Sequence, residues 1–180
     1  MPGRFLRAVQ LWKYLPVEEV IRMISKYYLA IFNVTSWREF LNNGARIYGT
    51  TGNQANRAKN LQKGDFLICY ITGYSEFVGI LEILSDAYVD KSRLWEESTF
   101  PIRFDVKLVE KLSEHSGISG RDLVGKLSVL KNLKNPKKWW AFFINSLNEF
   151  PSDDGEYLVN AIRMKAASKR DFSSKQTWKR

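Results

Sequence analysis

The sequence predicts an α+β fold, a small curled barrel-like mixed sheet of about five or six strands flanked by helices. Three observations predict it. Two hexapeptides, Tyr27-Tyr28-Leu29-Ala30-Ile31-Phe32 and Phe66-Leu67-Ile68-Cys69-Tyr70-Ile71, are β-prone and apolar on both faces, as buried strands are. Ile102, Phe104, Val106 and Leu108 alternate with Arg103, Asp105 and Lys107, which reads as a strand with one face buried and one in water. Helical spacing closes the chain at both ends, through Val17, Val20, Ile21 and Ile24 and through Tyr157, Leu158, Ala161 and Ile162.

The elements follow in order. Pro16 suits the first position of the opening helix, and the strand 27–32 comes next. Ser36 with Glu39 has the spacing of a capping box ahead of a short helix, which Asn42-Asn43-Gly44 stops. Residues 46–50 read as a short strand and 53–61 as a surface helix with Arg57 and Lys59 exposed. Lys63-Gly64-Asp65 opens the strand 66–71, and Thr72-Gly73-Tyr74-Ser75 turns it into a hairpin partner at 77–84. The stretch 86–101 is long for a loop in a compact domain, and it carries Tyr88, Trp95 and Phe100. Ser119 with Asp122 marks a helix start. Asn135-Pro136 opens a helix toward Leu147, although Trp139–Ile144 fits a strand equally well. Ser152-Asp153-Asp154 opens the last helix, with acids where the helix dipole favours them. Apolar periodicity fades from Ala166. The expected division is a helical extension over 1–26, a domain over 27–165 and a basic tail or linker over 166–180.

Composition excludes several classes. The chain has 180 residues, 44% of them hydrophobic and 14% aromatic, enough apolar surface for a folded core. No apolar run approaches the ~18–20 residues of a membrane span. With one cysteine (Cys69) and one histidine (His115) there is no internal disulfide framework and no His/Cys zinc site, and a reducing, cytoplasmic setting is expected. Phosphate-loop, dinucleotide and nucleophile-elbow motifs are absent, so no cofactor and no catalytic residue is assigned, and a binding module is favoured over an enzyme. The net charge is +9, but 163–180 supplies +6 of it. Inside the domain, Arg121, Lys126, Lys131, Lys134, Lys137 and Lys138 face only Asp122, next to Trp139 and Trp140. Such a set serves either as a solvated lysine-rich loop or as a track for a nucleic-acid backbone.

Taken in order, several segments resemble the EVE domain, a PUA-like relative of the YTH domain. They are Ile31-Phe32-Asn33 followed by Trp37; Ile47-Tyr48-Gly49-Thr50-Thr51; Lys63-Gly64-Asp65; Phe77-Val78-Gly79-Ile80; Ala87-Tyr88-Val89-Asp90 leading to Leu94-Trp95; Leu127-Ser128-Val129-Leu130-Lys131-Asn132 with Lys134-Asn135 and Trp139; and Glu149-Phe150-Pro151. The resemblance implies a pocket for a modified base, with Tyr48, Trp95 and Phe100 as cage walls. It gives Asn33 a base edge to bind, although Asn33 serves equally as a helix cap. It assigns the exocyclic amine to the Gly49 backbone. Arg57, Lys131, Lys134, Lys137 and Lys138 would hold phosphates. It also implies modified double-stranded DNA as partner, N6-methyladenine as the mark and a module that is monomeric alone. The place implied is the N-terminus of an McrB-type restriction protein, ahead of a GTPase motor with its nuclease partner. Methylated RNA, or an enzyme acting on a modified nucleoside, are the alternatives.

Overall fold

A strand with apolar side chains on both faces has to lie between two packed layers, and β1 (Tyr27–Phe32) and β3 (Phe66–Ile71) do so. Alternation sends Tyr28, Ala30 and Phe32, with Leu67, Cys69 and Ile71, into an inner core. It sends Tyr27 and Leu29, with Ile68 and Tyr70, into an outer one. The computed structural model describes residues 25–96, 99–131, 133 and 135–177, with side chains except at 136 and 169–177. The expected helical extension up to residue 24, and Lys134, lie outside the described residues.

β1 and β3 pair in parallel, and the other pairings are antiparallel. The sheet order is β2-β6-β4-β3-β1-β8, with β2 Ile47–Thr50, β4 Glu76–Ile83, β6 Ile102–Lys111 and β8 Glu149–Phe150. Two short strands, β5 (Tyr88–Val89) and β7 (Ile118–Ser119), attach to β6 and β4. Register shifts at Cys69/Tyr70 and at Ile80/Leu81 add to the natural twist and curl the six-strand path into a half-barrel. Helix α1 (Val34–Asn42) adds Trp37 and Phe40 to the inner core. The outer core is covered by α4 (Ser152–Thr177) and by Phe143 of a 3-10 run over Pro136–Ile144. No helix among the described residues is long and apolar enough to cross a membrane.

Several elements differ locally from expectation. α1 starts at Val34 because Asn33 is its N-cap: Asn33 Oδ1 accepts from the Ser36 N–H at 2.7 Å, and Ser36 Oγ accepts from the Asn33 N–H at 3.0 Å. Ser36 is thus the third residue of a capping box and not its first. The helix expected over 53–61 is a 3-10 turn, Gly52–Gln54, followed by α2 (Ala55–Ala58). Ser119 makes no side-chain cap; a 3-10 turn, Gly120–Leu123, follows it, and α3 (Ser128–Lys131) comes later. Buried Asp154 of α4 caps α3 from outside, accepting from Ser128 N at 2.7 Å, Ser128 Oγ at 2.9 Å and Val129 N at 3.0 Å. α4 runs to Thr177, across the expected boundary at 165/166. Ala166 extends the Leu158–Ile162 stripe by one turn, and alanine is too small to register as periodicity.

Gly155 sits where α4 crosses β1, and a Cβ there would lie 2.3 Å from Tyr27 Cγ. In an exposed helix Gly→Ala stabilises by roughly 0.5–1 kcal/mol. Here overpacking reverses the sign, and Gly155→Ala is expected to destabilise by roughly 1–3 kcal/mol in urea denaturation.

Candidate functional site

The sheet does not close. β6 is the strand partner of β2, β8 reaches only Tyr27 and Tyr28 of β1, and the far half of β1 is left without a strand on that side. One residue spans the gap: Ser146 Oγ accepts from the Ile31 N–H at 3.2 Å and from the Tyr48 hydroxyl at 3.1 Å. Leu147 then continues the chain onto β1, donating its N–H to the Leu29 carbonyl at 2.7 Å, with a positive φ of 61°. This seam is where backbone polar groups lie unused by the sheet ladder.

Gly49 supplies part of them. The Val106 N–H bonds to the Arg46 carbonyl, so hydrogen-bonded pairs in β2–β6 fall on Arg46/Val106 and, by alternation, on Tyr48/Phe104. The Gly49 amide and carbonyl therefore point to the opposite edge, into the seam. On its open face, a Cβ at Gly49 would lie 2.5 Å from Trp95 Cη2 and 2.8 Å from Phe100 Cβ. Only glycine lets those two side chains settle on the strand. Their rings meet edge to face at 5.4 Å and 83°.

The long loop owes its shape to Arg103. The alternation in β6 placed this residue in water, yet it is 1% exposed, because the loop folds over the polar face of the strand. Nε donates to the Phe100 carbonyl at 3.3 Å, and Nη1 to Asp90 Oδ2 at 2.5 Å and to Ser92 Oγ at 2.9 Å. Nη2 donates to the carbonyls of Ser92 and Thr99. The guanidinium also lies over the Trp95 ring, 5.2 Å from its centroid. Asp90 is held below the usual carboxylate range, first by the Ser92 N–H and hydroxyl and then by the Arg103 charge. From the α1 side, Glu39 Oε1 accepts from the Glu96 N–H at 3.1 Å, and Asn43 Nδ2 donates to the Leu94 carbonyl at 3.2 Å. Phe100 takes a left-handed backbone conformation, φ 39°, uncommon for a bulky residue and frequent at functional sites.

Two connected spaces result. A cavity of about 330 Å³ fills the seam, lined by Asn33, Ser36, Thr50, Thr51, Asn53, Gln54, Thr72, Asn145 and Ser146, with Ile31, Gly49, Phe100 and Ile144. It falls at the small end of ligand pockets, roughly 300–1,000 Å³. A recess of about 20 Å³ adjoins it, lined by Ile31, Phe32, Ser36, Gly49, Trp95 and Phe100. A larger groove of about 650 Å³ lies between Arg46, Leu84 and Lys107, but it gathers none of the expected site residues and few side-chain hydrogen-bonding groups.

Asn33, Gly49, Trp95 and Phe100 are thus brought together, and Tyr48 is not. Strand alternation turns the Tyr48 ring inward, 1% exposed and 5.6 Å from the Phe32 ring, while Gly49 faces the loop. Burial pushes the Tyr48 hydroxyl up to about 12, so it stays protonated and donates across the seam to Ser146. Trp95 is itself 4% exposed, a floor beneath the recess more than a wall in solvent. Asn33 keeps its cap role while lining the cavity. Arg57 stands at the rim, donating to Gln54 Oε1 and to the Ser146 carbonyl, each at 3.3 Å. Lys131, Lys137 and Lys138 are exposed and outside the lining. Cys69 is buried, with its thiol pushed up by desolvation, and His115 is exposed, its ring 4.1 Å from that of Tyr74. Sequence reasoning missed Arg103, Ser146, Thr50, Thr72, Gln54 and Asn145. Only Arg103 had a signal, a charge opposite a loop too long and too aromatic to be left in water.

Comparison with known proteins places this arrangement. UPF0310 protein PH1033 of Pyrococcus horikoshii is 27% identical over 152 residues, covering 76% of this chain and 98% of that one. The crystal structure of the YTH domain of Zygosaccharomyces rouxii MRB1 protein in complex with N6-methyladenosine RNA superposes with a TM-score of 0.56 at 16% identity, covering 77% of this chain and 87% of that one. The Pho92 YTH domain in complex with m6A gives 0.53 at 20% identity, covering 77% and 83%. These likenesses show a YTH-like fold. The family model of the EVE domain matches residues 26–138. That match spans more than half of the chain, and this protein belongs to the EVE domain family.

Proposed function

We propose that this protein reads a modified base in nucleic acid, with N6-methyladenine in DNA as the mark, and that it binds without catalysis. The observation that carries the reading is that a polar-lined seam cavity adjoins a small, mostly apolar recess, the two sharing Ile31, Ser36, Gly49 and Phe100, with Trp95 lining the recess. YTH domains of the same fold have been crystallised with N6-methyladenosine RNA and with m6A, which supports a methylated base as ligand. Among the described residues the cavity lining contains no acid, lysine, histidine or cysteine, which favours binding over proton transfer.

Extruding a base costs a few kcal/mol of stacking, and stacking on an aromatic ring returns roughly 1–3 kcal/mol. The Gly49 edge would take the exocyclic amine and the seam hydroxyls and amides the remaining polar atoms. The recess has room for about one methyl group or one water. Among the described residues its one polar side chain is Ser36, whose hydroxyl is engaged by the Asn33 backbone, as donor and as acceptor. A methyl buried there contributes about 0.8 kcal/mol. An unmethylated amine would point an unpaired N–H into the same place, at roughly 1–3 kcal/mol. Together these favour the methylated base by roughly 2–4 kcal/mol, or about 30- to 800-fold.

The setting we propose is a modification-dependent restriction system, in which a GTPase motor and its nuclease partner act where this module binds. Support comes from the sequence resemblance to the N-terminal modules of McrB-type proteins. Methylated RNA is the second reading, favoured by the RNA bound to the MRB1 YTH domain.

Trp95→Ala is expected to abolish the preference for methylated over plain DNA and to leave weak, salt-sensitive binding, measured by fluorescence anisotropy at fixed salt. Equal loss on both DNAs would refute the recess assignment. The double change Lys137→Ala and Lys138→Ala should weaken methylated and plain DNA alike and reduce the slope of log K against log salt by about 2, as expected for two lost phosphate contacts. An unchanged slope would remove these lysines from the interface.

A further inference from the structure

Of the apolar residues lining the seam cavity, Ile144 stands in water, 60% exposed at the mouth. Its neighbours hold it rigidly. Phe143, 2% exposed, packs its ring 5.0 Å from Tyr70 and 5.3 Å from Phe77. Ser146, two residues on, is fixed by the Ile31 N–H, the Tyr48 hydroxyl and Arg57. The backbone turns out of helical geometry at Phe143, which carries Ile144 away from the core that anchors the residue before it. Lys137 and Lys138 are exposed at the start of the same 3-10 run, as is Trp140, 49% exposed.

An aliphatic side chain on an anchored backbone, at the lip of a cavity lined mainly by polar residues, has a specific use if the ligand is a base drawn out of a double helix. Extrusion leaves a void between the flanking base pairs, facing the protein at the mouth of the cavity that took the base. Apolar wedges inserted between base steps stabilise such openings. A single-stranded ligand leaves no void, and an aliphatic lip gains nothing particular from it. From these observations, and resting on the reading of the cavity as a base pocket, we infer that Ile144 is an intercalating wedge and that the ligand is duplex DNA from which the modified base is flipped.

The test measures affinity of the full chain for two probes at one salt concentration: a DNA duplex with one N6-methyladenine, and the same methylated strand alone. Ile144→Ala removes the wedge from a solvent-exposed position, and Ile144→Leu keeps its apolar volume. Burial of an isoleucine side chain is worth roughly ten- to a hundredfold in affinity. Ile144→Ala should therefore lose about tenfold or more on the duplex and less than about twofold on the single strand. Ile144→Leu should stay within about threefold of the parent on both probes. A duplex loss below about twofold, or equal losses on duplex and single strand, would overturn the wedge and leave the base pocket standing. Failure of the unmutated protein to distinguish methylated from plain DNA in either form would overturn the pocket reading, and the wedge with it.

Discussion

A guanidinium taken out of water has to spend its five N–H donors inside the protein, and Arg103 spends them all on the loop between β5 and β6. Asp90, Ser92, Thr99 and Phe100 supply the acceptors, and the Trp95 ring supplies a face. Burying this charge without those partners would cost several kcal/mol, so the loop is bound to one shape for as long as Arg103 stays buried. That shape sets Trp95 and Phe100 on Gly49. The recess exists because a strand position, a glycine and the charged residue directly opposite it on the neighbouring strand agree on one geometry.

The incomplete sheet is the second determinant. A closed barrel would use the edges of β1 and β2 in a hydrogen-bond ladder and leave no cavity between them. Here one hydroxyl, from Ser146, spans the two edges, and the rest of the seam is lined with neutral hydrogen-bonding side chains. Such a lining suits a flat, uncharged ligand with donors and acceptors around its rim, which describes a nucleobase and not a phosphate. Among the described residues charge stays outside the cavity lining, on Arg57 and on the exposed lysines. In the proposed reading, affinity from a nucleic-acid backbone and selectivity for a base would therefore fall to different parts of the surface.

Much of the scaffold was legible in the residues because burial imposes periods on sequence. The two-faced apolar runs of β1 and β3 and the alternation of β6 each lay where the pattern put them. Boundaries set by single hydrogen bonds were less legible: the capping box is Asn33 with Ser36 and not Ser36 with Glu39, and Asp154 caps α3, a helix remote in sequence. Arg103 was misplaced for a physical reason. Alternation tells which face of a strand is polar, not whether a loop will later cover that face. Ser146 was invisible because serine in an irregular segment has no period, and its importance arises only when β1 and β2 meet. Gly49, Trp95 and Phe100 were found through family resemblance, and the close approach of both side chains to the glycine gives that set its physical basis.

Tyr48 marks the limit of reasoning from a motif. Read as a wall of the cage, it would need to face the loop beside Gly49, but neighbouring residues of a strand face opposite sides. With Trp95 and Phe100 already against Gly49, the Tyr48 ring belongs to the inner core, and its hydroxyl reaches the seam only through Ser146. In the proposed reading the recess is bounded by Trp95 and Phe100 from the loop and by Ile31 and Phe32 from β1, and Tyr48 is not among its walls. Two perpendicular rings present one face and one edge, so a planar base can stack on only one of them. For the methylated base proposed as ligand, less of the discrimination would then come from cation-like attraction between a methyl and surrounding π faces, and more from the fit of a recess with space for about a single carbon.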